Sequence, residues 1–304
     1  MKTNLKNNQA FSLIELMIAV LIVSVVSGII IIGITNSGAK NQVDLNSVKV
    51  FDMTVKNKLA ENIVGEWSFD EGSGTTAINS TDYGSALNGT ITGATYQASS
   101  NCISNSCLLF GVASSYVSTP ITQSFSAVTV SVWVKTSNVS YSRDGTGIQE
   151  IISKWAIGNK SWDFRMNSGA VNVAISPGGD NNGENEISTH ILVSNEWTHL
   201  AFTYDDVSDT VVIYKNGIGQ SFVNSITMGG STAMQIGRLT WGDSTDRNWN
   251  GSMDQACIYN AALTISQIQE QYRAGLDKLL VKGAITQQDY NQKIVELQKQ
   301  IAVN

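Results

Sequence analysis

Apolar positions crowd together once in this chain, at residues 11–34 (FSLIELMIAVLIVSVVSGIIIIGI), where Glu15 is the one charge. A bilayer is crossed by about 20 such residues, so the run predicts a transmembrane helix. After it, apolar residues recur near helical spacing at Val43, Val50, Val55, Leu59 and Ile63. Asp44, Lys49, Asp52, Lys56, Lys58 and Glu61 lie between them. The pattern predicts an amphipathic continuation stopped by Gly65. Unbroken from Phe11 to Ile63, this helix would reach about 80 Å. Gly28, Gly33 and Gly38 weaken its middle by about 1 kcal/mol each relative to alanine. Such glycines suit close helix packing in a membrane.

From Glu66 the period falls to two. Val128, Val130, Val132 and Val134 share one face of a strand, as do Val171, Val173 and Ile175. Segments 199–204 and 210–215 read as a hairpin around Asp205, Asp206 and Asp209, and Asn216-Gly217 signals a further tight turn. About 200 residues of such strands without interleaved helices predict an all-β sandwich. At the end of the chain the pattern returns to helices: 265–273 ending at Gly275, then 276–282, then 286–302. Thr286 and Asp289 are spaced as a capping box, with Asp in place of the usual Glu or Gln, and Tyr290, Ile294, Leu297 and Ile301 form an apolar stripe. So short a hairpin buries little by itself and should dock on the sandwich or on another subunit.

Composition adds exclusions. The net charge is −6, which argues against nucleic acid or anionic lipid as partner. Twenty-six glycines against two prolines fit a turn-rich β body. Cys102 and Cys107 lie five apart, and Cys257 is remote. A close pair is either half of a metal site or a local disulfide. No second Cys or His cluster completes four ligands, so the disulfide in an oxidising compartment is the better reading.

Residues 1–10 (MKTNLKNNQA) are polar, carry two lysines, and end in a small residue before the apolar run rather than after it. Ala10-Phe11-Ser12-Leu13-Ile14-Glu15-Leu16 closely resembles the prepilin signature of type IV pilins and type II secretion pseudopilins. The resemblance implies cleavage between Ala10 and Phe11 by a prepilin peptidase, methylation of the new amine, and pairing of Glu15 with the Phe11 amine of a neighbouring subunit. The family usually has Gly before the cut, where this chain has Ala10. A carboxylate in hydrocarbon costs about 2.5–3.5 kcal/mol on insertion scales, so Glu15 requires a partner or an interfacial position.

A second resemblance begins at Trp67-Ser68-Phe69-Asp70-Glu71-Gly72-Ser73-Gly74. It continues through Asn88-Gly89-Thr90, Cys107-Leu108-Leu109-Phe110-Gly111, Glu196-Trp197-Thr198-His199-Leu200 and Val212-Ile213-Tyr214-Lys215-Asn216-Gly217, and closes on 249–263. The ordered set is similar to concanavalin A-like, laminin-G-type domains. It implies a jelly-roll sandwich of two antiparallel sheets, a carbohydrate or protein ligand, and, as in many members, a calcium ion. Asp70, Asn88 and Asp254 are the candidate calcium ligands by their oxygens and places near the chain ends of the sandwich, with Asn79 and Asp82 able to add oxygens. Alternatively, Asp70 and Asp254 satisfy turn amides without metal. The fold also hosts glucanases, but no strand carries Glu-x-Asp-x-x-Glu, Asp205-Asp206 falls in a turn, and Glu184 and Glu186 fall in a Gly/Asn-rich loop. The chain therefore reads as a non-enzyme. Trp241 with Asp243, and Trp155, are the candidate sugar-binding side chains, while Trp249 reads as a plug for the sandwich end. A third resemblance, of 276–297 to the short C-terminal helical (SHOCT) domain, covers the hairpin.

The chain thus reads as a leader (1–10), an assembly helix (11–64), a laminin-G-like sandwich (65–273) and a helical hairpin (274–304). The corresponding protein is a pilin-like subunit, first in the cytoplasmic membrane and then in a surface pilus with other pilin subunits. A secretion pseudopilin and an uncleaved membrane-anchored lectin are the alternatives. Glu15→Ala should abolish entry into filaments, measured by immunoblotting sheared surface fractions; wild-type incorporation would remove the registration role.

Overall fold

The structure is a computed structural model that describes residues 45–142, 144–178, 185–239 and 247–301. Ala10, Phe11, Glu15 and the apolar run lie outside the described residues. The chain divides into two units, Met1–Val43 and Asp44–Asn304, and every described residue belongs to the second.

That unit opens with helix α1 (Leu45–Leu59), followed by β1 (Ile63–Trp67), β2 (Thr76–Ala77), β3 (Gly89–Thr92), β4 (Thr95–Gln97), β5 (Cys107–Phe110) and β6 (Tyr116–Ser118). Longer strands succeed them: β7 (Ala127–Lys135), β8 (Ile148–Ala156), β9 (Asn159–Asn167), β10 (Ala170–Ile175), β11 (Asn185–Ile191) and β12 (Thr198–Asp205). The last are β13 (Thr210–Lys215), β14 (Ile218–Val223), β15 (Gln235–Ile236) and β16 (Gly251–Tyr259), before helices α2 (Ile265–Val281) and α3 (Gln287–Ile301). The strands form two eight-stranded sheets. One has the order β14-β13-β12-β7-β16-β5-β4 with β1 paired to β16; the other is β11-β10-β9-β8-β15-β6-β3-β2.

Between the sheets lies one large core. The four alternating valines of β7 enter it, as do Val171, Val173 and Ile175 of β10, and Trp249 is fully buried there. The β13–β14 turn has positive φ at both Asn216 (53°) and Gly217 (75°), the backbone a two-residue type I′ hairpin demands. Register follows from that turn and from the buried face together.

The outer face of the first sheet is also closed. Thr129, Ser131 and Trp133 of β7 are buried opposite the valines. Thr129 Oγ1 donates to Ala261 O (2.7 Å) and accepts from the Leu263 amide (2.8 Å) in the loop before α2, and the helices lie over Trp133. Val55 and Leu59 of α1 pack with Tyr214, Tyr259 and Ile268. Tyr272, Leu276 and Leu279 of α2 and Leu297 of α3 pack with Trp133 and Ile103. Helices α1 and α2 run antiparallel, joined by Lys58–Glu270 (2.7 Å) and Asp52–Lys278 (2.9 Å). Lys58–Glu270, with its lysine exposed, contributes about 0–1 kcal/mol, while Asp52–Lys278 is largely covered by the helices it joins. The expected capping box is present: the Thr286 amide donates to Asp289 Oδ2 (3.0 Å), and the Asp289 amide donates to Thr286 Oγ1 (3.1 Å).

Two glycines expected to stop helices do something else. Helix α1 ends at Leu59, and Ile63 and Gly65 lie in β1 opposite Tyr259 and Ile258. A Cβ at Gly65 would strike the Trp67 indole. Helix α2 runs unbroken through Gly275, where a Cβ would overlap the Trp133 indole. Both positions lack a side chain because an aromatic ring occupies the space. Glu186, expected in a loop, stands on β11.

His199 on β12 packs against both Trp133 and Tyr272, with ring centroids at 5.3 and 6.2 Å, and those two rings stack on each other at 5.7 Å. It is buried, its Nδ1 has no partner, and burial pushes its pKa down from 6.5 to about 3. The unfolded chain binds this proton near 6.5 and the folded one does not. Its contribution to stability is therefore complete above pH 6.5 and lost as pH falls toward 3. Urea melts between pH 7 and 4 should show His199→Phe losing less stability than wild type over that window; equal losses would contradict this account.

Candidate functional site

Asp70 follows β1 and Asp254 lies on β16, and both carboxylates meet the same loop. Asp254 Oδ2 accepts from the amides of Ile103 (2.8 Å) and Ser104 (3.1 Å). Asp70 Oδ1 accepts from the amides of Asn105 (2.8 Å) and Ser106 (3.1 Å), and its Oδ2 accepts from Ser104 Oγ (2.9 Å). The loop is closed by the Cys102–Cys107 disulfide, with Cα atoms 5.4 Å apart. Burial pushes the Asp254 carboxyl up to about 8, opposed by those two amides, and its Oδ1 has no hydrogen-bond partner. Asn88 stands apart, its Oδ1 accepting from the Asn79 amide (2.9 Å). The three residues named for calcium thus do not converge, and both Asp70 oxygens are engaged. They do not fit a resident calcium ion. Among the described residues no group of three or more His, Cys, Asp and Glu is placed to hold a metal.

The second sheet carries a polar cluster on the face turned away from the core. Strand β9 sends Trp162, Phe164 and Met166 inward, which leaves Asp163 and Arg165 on the opposite face. Register sets Arg165 opposite Glu150 on β8 and Asn172 on β10. The guanidinium donates to Asp163 Oδ2 (2.9 Å), Glu186 Oε2 (2.8 Å) and Asn172 Oδ1 (3.1 Å). Burial acts to lower the Arg165 pKa, and Asp163, Glu150 and Glu186 reverse it, so the net shift is upward. Glu150 is completely buried, with no hydrogen-bond partner for either oxygen. Burial, then the charge of Asp163, pushes its pKa well above its ordinary value. Periodicity did not reveal this pair of acids on neighbouring strands. The available signal was charge within IQEIISKWA and NKSWDFRMN, strands otherwise patterned for burial. Two carboxyls are what a glycosidase requires, yet both are 0% exposed and neither is presented to a substrate.

Trp155 is buried against Ala174 and Leu239, so its ring offers no open platform for a sugar, contrary to expectation. Trp241 and Asp243 lie outside the described residues. An open groove of about 560 Å³ runs between the end of α1, β1 and Ser80–Tyr83, and Tyr83 is 58% exposed beside Asp82 and Thr81.

The family profile described as the concanavalin A-like lectin/glucanases superfamily (laminin G type) matches residues 111–269, just over half of the 304-residue chain. The chain belongs to the concanavalin A-like lectin/glucanases superfamily. A prokaryotic N-terminal methylation motif matches residues 5–31. Both matches leave α3 outside. No curated protein sequence matches the chain. Solved structures with this concanavalin A-like fold include the botulinum neurotoxin type G receptor binding domain. It shares 17% identity over 70% of this chain and 51% of that one, at TM-score 0.52. The botulinum neurotoxin serotype D ligand binding domain in complex with N-acetylneuraminic acid shares 12%, over 73% and 53%, at 0.55. A Trypanosoma rangeli sialidase mutant displaying trans-sialidase activity shares 11%, over 76% and 38%, at 0.53. The chain spans about half the length of the two neurotoxin domains, and at these identities the likeness shows the fold alone.

Arg165→Met should cost about 3–5 kcal/mol in chemical denaturation, because it strands the buried Asp163. Glu186→Gln, which removes only the exposed partner, should cost below about 1 kcal/mol.

Proposed function

We propose that this chain is a type IV pilin-like filament subunit that displays a lectin-like sandwich for adhesion through a carbohydrate or protein ligand. The observation that carries this reading is the union, in one polypeptide, of the methylation motif at residues 5–31 and the concanavalin A-like domain at 111–269. The motif supports a precursor held in the cytoplasmic membrane, cleavage by a prepilin peptidase before Phe11, and assembly with other pilin subunits at the cell surface. A glycan ligand is supported by the solved neighbour bound to N-acetylneuraminic acid. A non-catalytic role is supported by the closed Glu150–Asp163 pair. Ligand contacts fall at Trp241 and Asp243 or along the Tyr83 groove, and no calcium step enters this reading.

Mass spectrometry of the sheared surface fraction should find a peptide beginning with N-methylated Phe11. Recovery only from membranes with Met1 intact would instead favour an anchored lectin, and recovery only in the envelope with secretion machinery a pseudopilin. On a glycan array, wild-type filaments should bind, and either Trp241→Ala or Tyr83→Ala should lose the signal. Failure of both variants to change it would displace the ligand site.

A further inference from the structure

The outer face of the second sheet is polar where β3, β6 and β15 lie side by side. Ile91, Val117 and Ile236 of these strands enter the core, so Thr90, Thr92, Tyr116, Ser118 and Gln235 point the other way. Register sets Thr92 opposite Tyr116, and sets Thr90, Ser118 and Gln235 in one row. Both threonines are exposed, and Tyr116 and Ser118 are half-buried. Gln235 Nε2 donates to Ser118 Oγ (3.0 Å). The serine oxygen accepts that bond, which leaves its own O–H to donate outward.

One cation lies over this face. The Arg238 guanidinium stacks on the Tyr116 ring, 3.7 Å from its centroid. The backbone that carries it is held firmly. Ser153 Oγ donates to Arg238 O (2.8 Å), the Gly237 amide donates to Ile151 O (2.7 Å), and the Trp249 amide donates to Gly237 O (2.9 Å). A partly covered guanidinium ordinarily has a carboxylate beside it. Arg165, Arg247 and Arg273 each have one within 4.0 Å. Arg238 has none among the described residues, and its Nε, itself buried, has no acceptor. A chain of net charge −6 thus leaves a preorganised cation without an acid.

The planar fork of a guanidinium matches a carboxylate, which accepts two parallel bonds from it. The hydroxyls of Thr90, Thr92 and Ser118 suit a ligand that carries hydroxyls around that carboxylate, as a sugar ring does and an acidic peptide does not. We propose that this face is a contact for acidic sugars, in which Arg238 holds the carboxylate and the three hydroxyls bond the ring. The inference rests on the glycan reading above and adds charge selection to it. Trp241 or Tyr83 serves a sugar of any charge, whereas Arg238 selects the acid.

The test uses the full chain in detergent with sialyllactose and trigalacturonate, each beside its methyl ester. Wild type should bind an acid about tenfold or more tightly than its ester, and added salt should narrow the gap. Arg238→Gln should bring that acid to the level of the ester. Arg238→Lys should keep part of the preference, because an ammonium retains the charge and loses the fork. Equal wild-type binding of both acids and their esters overturns the proposal and leaves the glycan reading standing. That comparison needs no variant, so it decides even where Arg238→Gln does not fold. A preference for the acid that survives in folded Arg238→Gln also overturns the proposal. Binding of neither the acids, nor the esters, nor any glycan on the array removes the glycan reading and this inference together.

Discussion

Strand β7 has no face left for water. Its valines fill the space between the sheets, and Trp133, Ser131 and Thr129 on its other side are equally enclosed. A two-sheet sandwich shields only the inner face, so the outer one needs a cover of its own. Helices α1, α2 and α3 are that cover. Each large side chain they bury is worth about 1.5–3 kcal/mol. The helices are thus part of the domain's stability, and Gly275 lets α2 come down directly onto the Trp133 ring.

Much of this was legible in the order of residues. The valine alternation of β7 and β10, the Asn216-Gly217 turn, the local cysteine pair and the Thr286–Asp289 cap are all short-range features, and short-range chemistry determines them. Gly65 and Gly275 mislead along the chain for the opposite reason. A glycine that ends a helix and one that admits a distant indole look alike until the neighbour is known. Trp155 likewise sits in a loop-like context along the chain and under a cover in space.

Long-range partners explain what else escaped. Glu150, Asp163, Arg165 and Glu186 come from three strands, and only the registers of β8, β9 and β11 through β10 bring them together. Asp70 and Asp254 were singled out as a pair and do share a loop, but Lys282, whose ammonium donates to Cys102 O in that loop, lies 180 residues beyond it. Periodicity along a chain carries no information on such distances.

The first strand pairs with the last, β1 with β16, and the helix before the one lies against the helix after the other. The body of sheets is therefore a closed excursion that leaves from and returns to the same antiparallel helix pair. Such an arrangement behaves as a cassette. A different β body whose ends also meet could be exchanged at this joint without altering α1 or α2, so the joint, and not the sheets, sets what the helix pair can carry.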